Sequence, residues 1–106
     1  MYPYEEASQK IDQIEAELKR LGRWWDQPPP PEAFEDMGAF GSKTMAFEQW
    51  LEFVLIPRVR EIIAARGAFP SSSQVSVYAT REWDGDPDVD RLLTLLREFD
   101  ALFEQA

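Results

Sequence analysis

The chain has 106 residues, 44% of them hydrophobic and 13% aromatic, which is enough for one continuous core and predicts a single domain over residues 1–106. It contains no cysteine and no histidine, which excludes disulfides, thiolate nucleophiles, imidazole bases and the commonest zinc ligands. Carboxylate, lysine or tyrosine chemistry stays open, but no pair of acids at a defined spacing emerges from the sequence. We predict no catalytic centre, no metal site and no cofactor. The formal net charge of −9 repels phosphate backbones, so direct binding of nucleic acid is not expected.

No uncharged apolar run approaches the length of a membrane span. The first ten residues, MYPYEEASQK, lack the basic start and the apolar region of a signal peptide. The sequence therefore predicts a soluble cytoplasmic protein without membrane contact.

The first predicted helix carries a narrow apolar seam in which spacings of four and three residues alternate. Its members are Ala7, Ile11, Ile14, Leu18, Leu21 and Trp25. A seam of this width predicts an amphipathic helix docked in one groove of the domain. Gly22 can end the helix in the left-handed conformation, although Trp25 continues the register and favours one further turn.

A run of four prolines, Pro28–Pro31, follows the tryptophan pair Trp24 and Trp25. The run predicts a stiff, extended segment whose last proline begins a short helix. Such a tract can be a ligand for an aromatic-lined groove of another protein, but use as a linker is commoner and is the preferred interpretation here. Trp24 lies off the helix seam, so it is the best candidate for an exposed anchor.

A long central helix is predicted from a cap at Ser42 to Arg66, with Gly67 closing it. Pro57 stands in its middle. Proline lacks a backbone N–H, and its ring clashes with the carbonyl oxygen of Phe53, four residues earlier. We therefore predict a helix kinked at Pro57.

The kink is also expected from the pattern of polar residues on a straight helix at about 100° per residue. Before Pro57, one arc of the helix surface is polar and consists of Glu48, Gln49 and Glu52. After Pro57, the residues that fall close to the same arc are apolar: Val59, Ile62 and Ile63. The buried side is therefore predicted to change at Pro57, so that each half of the helix packs on different neighbours.

The rest of the chain is predicted as a loop followed by a helix. Val75 and Val77 alternate like a strand but have no evident partner strand, so residues 68–86 are expected to form a loop with a short helical turn near Tyr78. Asp86 caps the last helix and Pro87 is its first residue. The buried stripe of this helix is Val89, Leu92, Leu93, Leu96, Phe99, Leu102 and Phe103, with Leu95 at its edge.

The acidic run DGDPDVD, residues 84–90, resembles a calcium loop at first sight. An EF-hand loop beginning at Asp84 requires glycine and glutamate where the chain has Val89 and Leu95. Helix capping is therefore the preferred explanation of these aspartates.

Asp100 lies within the apolar stripe of the last helix, where a carboxylate must find hydrogen-bond donors or become protonated. Arg58, just beyond the predicted kink, is its natural partner by residue type. The pair is interpreted either as a partly buried ion pair that fixes two helices in register or as the charged part of a binding cleft.

The chain resembles the YqcC-like family of small bacterial proteins of unknown function over residues 5–104. The motifs that carry the resemblance are the tryptophan pair, the proline spacer, FGSKTMAFEQWLEFVLIPRVREII, and LREFDALF near the end. The family pattern falls on Phe40, Thr44, Met45, Trp50, Leu51, Ile56, Pro57, Arg58, Asp100 and Leu102. The segment ATREWDGD after Tyr78 matches it only loosely.

The resemblance implies an all-helical bundle without an established activity. Genes of the family often lie near that of tRNA pseudouridine synthase C, which implies an accessory role in RNA modification. An acidic protein in that setting is expected to contact the enzyme rather than the tRNA.

We therefore expect an all-α fold, a compact bundle of about four helices. The expected function is that of a non-enzymatic interaction or accessory module, with tRNA pseudouridine synthase C as the protein partner that the resemblance implies. The candidate binding groove consists of Trp24, Trp25, Phe40, Trp50, Arg58 and Asp100. The alternative is a small-molecule-binding protein whose apolar cleft uses Arg58 and Asp100.

Overall fold

The computed structural model describes residues 2–35, 38–41, 44–70 and 72–104, and Ser42, the predicted helix cap, lies outside them. Within these ranges the chain forms four helices and no β-strand. The helices are α1 (Tyr4–Arg20), a central helix composed of α2 (Phe47–Trp50), a π-helical turn (Leu51–Leu55) and α3 (Ile56–Ala65), then α4 (Val75–Glu82) and α5 (Asp90–Glu104). The predicted all-α bundle of about four helices is confirmed.

Helix α1 runs antiparallel to α3. The Tyr4 hydroxyl, at the start of α1, donates to the carbonyl oxygen of Gly67, just past the end of α3, at 2.6 Å. Further along α1, Glu15 accepts from Arg60 in the middle of α3 at 2.8 Å. As α1 advances, its contacts on α3 therefore move towards the start of that helix.

Helix α1 is also antiparallel to α5. Lys10 pairs with Glu98 in the second half of α5 at 2.8 Å, and Arg23, beyond α1, pairs with Asp86 just before α5 at 2.7 Å. The buried core lies between these helices. It contains Ala7, Ile11, Ile14, Leu18, Phe47, Leu51, Ile56, Val59, Phe69, Val75, Ala79, Trp83, Val89, Leu92, Leu95, Leu96, Phe99 and Phe103.

The end of α1 shows why a glycine follows it. Gly22 has φ +72° and donates its N–H to Lys19 at 3.0 Å, while Arg23 donates to Leu18 at 2.9 Å. This Schellman arrangement satisfies two carbonyl groups that the helix end leaves free. The expected further turn to Trp25 is therefore wrong, because the left-handed residue turns the chain away three residues earlier.

The interruption at Pro57 takes the form of the π-helical turn immediately before it. Here the N–H of Ile56 donates to the carbonyl oxygen of Leu51, five residues back, and the chain stays helical through Leu55 and Ile56. A wider turn of this kind accommodates a proline without ending the helix. At the far end the left-handed residue is Arg66, with φ +54°, and not the predicted Gly67.

The π-turn keeps the buried side of the central helix continuous. One additional residue in a turn rotates all later side chains by about 100°. As a result, the buried residues of the central helix continue across the π-turn at spacings of four, five and three. They are Phe47, Leu51, Ile56 and Val59. The predicted change of buried side at Pro57 is therefore wrong, and so is the predicted exposure of Glu52, which is 6% exposed.

The two halves of the central helix still have different neighbours. The ring centroid of Phe47 in α2 lies 5.0 Å from that of Tyr78, in α4, and 5.1 Å from that of Trp83, directly after α4. Arg60 of α3 pairs instead with Asp12 and Glu15 of α1. The expectation that each half packs on different elements is therefore confirmed.

Residues 75–82 form a two-turn helix, so the short helical turn predicted near Tyr78 exists but is longer than expected. The predicted start of the last helix is confirmed, since the Asp86 carboxylate accepts the N–H of Asp88 at 3.0 Å and Pro87 opens the 3₁₀ turn that leads into α5. No helix in the described ranges has the length and apolar character needed to cross a membrane.

Candidate interaction site

Residues 24–34 form a surface segment, which we call the proline strap, with no regular secondary structure before the 3₁₀ turn at its end. At its first end, Arg23 pairs with Asp86 at 2.7 Å and Glu48 at 3.5 Å, and the N–H of Trp25 donates to the Glu52 carboxylate at 2.7 Å. At its other end, Pro31–Phe34 form a 3₁₀ turn whose Ala33 carbonyl accepts from the Thr44 hydroxyl at 2.5 Å. The strap is thus held at both ends.

The two tryptophans of the strap differ in their exposure. Trp24 is partly buried against the core, and the Lys19 ammonium lies 5.1 Å from its ring centroid, a cation–π contact. Trp25 is 37% exposed. The expectation that Trp24 is the exposed anchor is therefore wrong, because the chain turns at Gly22 and carries Trp25 out of the helix seam.

Glu52 is the buried polar residue beneath the strap. Burial raises the pKa of its carboxyl; the hydrogen bond from the Trp25 backbone opposes this, and the nearby carboxylates of Asp26 and Glu15 add to the rise. Sequence reasoning missed this residue because the polar arc of a straight helix puts it in solvent. The spacing of five between Leu51 and Ile56 was the available signal for the π-turn.

Two acids on α1 show the opposite effect, because their pKa values are lowered. Burial alone would raise the pKa of the Glu15 carboxyl, but hydrogen bonds from Lys19 and Arg60 outweigh it and lower the pKa. Glu17 is 4% exposed, and its two hydrogen bonds from Arg20 lower its pKa. Both carboxylates are held in ion pairs, Glu15 with Arg60 of α3 and Glu17 with Arg20 within α1 itself, rather than being poised to exchange a proton.

A cluster of aromatic rings lies where α2 meets α4. Its members are Phe40, Phe47, Trp50, Tyr78 and Trp83. Phe40 has φ +54° and its ring stacks on Tyr78 with centroids 4.7 Å apart. Gly41, with φ +72°, follows, and an added Cβ there would lie 3.0 Å from Trp50 Cδ1. Glycine is therefore required for this close approach.

Trp83 is the member of this cluster that lies at the turn between α4 and α5. Its indole Nε1 is buried and has no hydrogen-bond partner among the described residues. The turn itself forms an open cleft of about 360 Å³ whose rim includes Asp84, Asp86 and Asp90. The described residues contain no group of three side chains placed to hold a metal ion.

Asp100 has a different partner from the one expected by residue type. Its carboxylate accepts the N–H groups of Val75 and Ser76, at 3.2 and 2.8 Å, and the hydroxyls of Ser73 and Ser76, at 2.5 and 2.7 Å. It therefore caps the N-terminus of α4 from a distant helix. The predicted partner, Arg58, is exposed on α3, and these two described residues form no ion pair with each other.

The structure therefore distributes the six candidate residues over separate places. Trp24 and Trp25 lie in the strap, Phe40 and Trp50 lie together with ring centroids 5.1 Å apart, Arg58 is exposed on α3, and Asp100 is buried beneath α4. The cleft that would combine Arg58 with Asp100 is not formed, because the Asp100 carboxylate accepts its hydrogen bonds from residues 73–76 within the described part of the chain.

The fold and the strap define a small all-α protein: a helical bundle whose central helix carries a π-turn and whose surface carries a fixed proline segment. The chain belongs to the DUF446 family, described as "tRNA pseudouridine synthase C", whose sequence model matches residues 6–102. The expected membership of a YqcC-like family is confirmed by the similarities that follow.

Two relatives match over most of both chains. One, from Haemophilus influenzae, is 29% identical over 97 residues, covers 92% of each chain and is named an uncharacterized protein. The other is the uncharacterized protein YqcC of Escherichia coli K12, 30% identical over 95 residues, covering 89% of this chain and 87% of YqcC.

A solution NMR structure of E. coli YqcC superposes with a TM-score of 0.86 and 28% identity, covering 97% of this chain and 89% of that one. A third relative, tRNA pseudouridine synthase C of Pectobacterium carotovorum, is 31% identical over 77 residues. That match covers 73% of this chain but only 20% of the synthase.

Proposed function

We propose that this chain is a non-enzymatic accessory protein that binds tRNA pseudouridine synthase C. The observation that carries the proposal is the Pectobacterium synthase, in which a segment similar to this chain accounts for 20% of the protein. Two units joined in one polypeptide in one organism are good candidates for a complex when they occur as separate chains. The family description, which names the same synthase, supports the same partner.

The chemistry of the chain supports binding rather than catalysis. It has neither cysteine nor histidine, and its buried carboxylates have structural partners: Glu17 pairs with Arg20, Glu52 accepts from the strap, and Asp100 caps α4. The net charge of −9 repels tRNA and suits a protein that binds tRNA through basic residues. The proposed complex would form in the cytoplasm, where tRNA is modified.

The test uses the purified chain and the purified tRNA pseudouridine synthase C of the same organism. Size-exclusion chromatography with light scattering is expected to show one peak with the summed mass of both proteins. An unrelated tRNA-binding enzyme serves as the control for unspecific attraction between opposite charges, and it is expected to elute separately. Separate elution of the chain and the synthase at micromolar concentrations would contradict the proposal.

A second measurement addresses the non-enzymatic part of the proposal. The chain alone, incubated with unmodified tRNA, is expected to form no pseudouridine, whereas the synthase forms it and forms it at a changed rate when the chain is added. Pseudouridine formed by the chain alone would contradict an accessory role.

A further inference from the structure

We propose that the proline strap is the docking ligand of this protein, and that it binds a groove on the partner with an aromatic floor and a basic rim. The inference rests on the proposed function for the identity of the partner. It goes further because it assigns the contact surface on this chain and the chemistry of the complementary one.

The strap has the exposure of such a ligand, and Pro30 has its backbone conformation. Pro30 has φ −54° and ψ 152°, which is the polyproline II region. Residues 25–28 and 30–32 are exposed, and Pro29 is partly exposed. Proline rings in this conformation present a ridged apolar surface that fits between aromatic side chains, as in the grooves that bind proline-rich peptides.

Trp25 adds an anchor at the start of the ridge. It is 37% exposed, and its backbone N–H donates to the buried Glu52 carboxylate at 2.7 Å. Tryptophan is enriched among the interface residues whose replacement by alanine lowers the binding free energy most. The indole is therefore available to a partner while its backbone is already in place.

The strap is organised before binding, which lowers the entropic cost of association. The hydrogen bond to Glu52 at one end and the one from Thr44 to Ala33 at the other fix both ends. The four prolines restrict the chain between them. A linker needs no such fixation, so these contacts favour the ligand use of the tract over the linker use.

The charges of the strap specify the rim of the groove. Asp26 and Glu32 of the strap and Glu35 directly after it are exposed, and no lysine or arginine occurs from residue 24 to residue 35. A complementary surface therefore carries lysine or arginine beside its aromatic floor. An enzyme that binds tRNA presents such residues for phosphate contacts, which is consistent with the proposed partner.

The experiment is calorimetric titration of the full chain into the purified synthase. Trp25→Ala is expected to weaken binding roughly thirtyfold, because it removes the anchor. The double variant Pro28→Ala and Pro30→Ala is expected to weaken it about fivefold, because the strap becomes flexible. The matched control is Val77→Ser on α4, which is 50% exposed and distant in sequence from the strap; its affinity is expected to stay within about twofold of wild type.

The outcomes separate the two proposals. If the wild-type chain does not bind the synthase, the proposed function fails. If it binds and both strap variants bind equally well, the docking inference is overturned while the proposed function stands. Loss of affinity in the Val77 control alone would assign the contact to α4 and also overturn the inference.

A measurement on the wild-type chain covers the case in which a variant does not fold. Hydroxyl-radical labelling followed by mass spectrometry reports the exposure of each tryptophan. Labelling of Trp25 is expected to fall about fivefold in the complex, as for a side chain buried at an interface core, while that of the buried Trp83 stays low in both states. Unchanged labelling of Trp25 in a formed complex would overturn the inference.

Discussion

Two buried carboxylates in this protein perform the same task with different numbers of donors. Asp100 and Glu52 are each 6% exposed, and each accepts the backbone N–H of a segment distant in sequence. Among the described residues, Asp100 accepts four hydrogen bonds and fixes the start of a helix. Within the same ranges Glu52 accepts one hydrogen bond, from Trp25, and fixes the first end of the strap.

The difference shows how the number of donors determines what a buried charge does for a fold. A carboxylate surrounded by donors offsets its loss of hydration, so the two segments it joins behave as one unit. A carboxylate with one donor is only partly compensated, and the raised pKa of Glu52 expresses this. We therefore expect the α4–α5 junction to be rigid and the strap junction to be adjustable.

The largest expected effect is that of Asp100→Ala. It leaves the N–H groups of Val75 and Ser76 without their acceptor at a buried helix start. The free energy of unfolding is expected to fall by about 4 kcal/mol, measured by urea denaturation. Glu98→Ala, half a turn earlier on the same helix and exposed, is the control and is expected to cost about 0.5 kcal/mol. A loss below about 1 kcal/mol for Asp100→Ala would contradict the capping role.

The second effect is that of Glu52→Ala, which removes one acceptor together with an incompletely compensated charge. The free energy of unfolding is expected to fall by only about 1.5 kcal/mol. Hydrogen exchange of the Trp25 amide is expected to become faster, because its acceptor is gone. If this variant lost as much stability as Asp100→Ala, the proposed difference between the two junctions would be wrong.

The third effect is a pH dependence whose sign differs between two buried acids. The pKa of Glu52 is raised in the folded protein. Its contribution to the free energy of unfolding is therefore fully present below the ordinary pKa of 4.5 and declines as the pH rises through the folded-state pKa. The lowered pKa of Glu17 means that its contribution is present above 4.5 and is lost as the pH falls. Relative to Glu52→Gln, the wild type is therefore expected to become less stable with rising pH. Relative to Glu17→Gln, it is expected to become more stable.

Urea denaturation of the wild type and both glutamine variants between about pH 3.5 and pH 7 measures these two differences. The same sign of slope for both variants would show that the two carboxylates are in equivalent surroundings. The comparison between a poorly and a well compensated acid would then fail.

The smallest expected effect is that of Trp25→Ala on stability. The indole is partly exposed, and the hydrogen bond to Glu52 comes from the backbone, which the substitution keeps. The free energy of unfolding is expected to change by about 0.5 kcal/mol, measured by thermal and urea denaturation. A loss above about 2 kcal/mol would mean that the ring supports the fold rather than a partner.

The sequence predicted those features whose cause is local. The seam of α1 depends on spacings of three and four residues, and the Asp86 cap depends on the two residues that follow it. The left-handed residue at Gly22 was also predicted from its position after the seam. Such signals occupy a few consecutive positions, so they can be interpreted without knowledge of the tertiary structure.

The features that were predicted wrongly depend on distant residues or on an altered helical period. The interruption at Pro57 was predicted, but an angle of 100° per residue does not apply across a π-turn, so Glu52 was placed on the wrong side. Asp100 was recognised as a buried acid. Its donors lie 24 to 27 residues earlier, in a serine-rich segment predicted as loop, so residue type favoured Arg58 instead.

The antiparallel arrangement of the first and last helices has a consequence for how this bundle can be joined to other sequences. The rings of Tyr2 and Phe103 both contact that of Phe69, with centroids 5.8 and 5.1 Å away. A short flexible connector could therefore close the two ends into a ring, and the turn at Gly85, where a Cβ would meet no atom, is a suitable place to open new ends. For the same reason the bundle can be inserted into a surface loop of a host protein without distorting the fold of either protein.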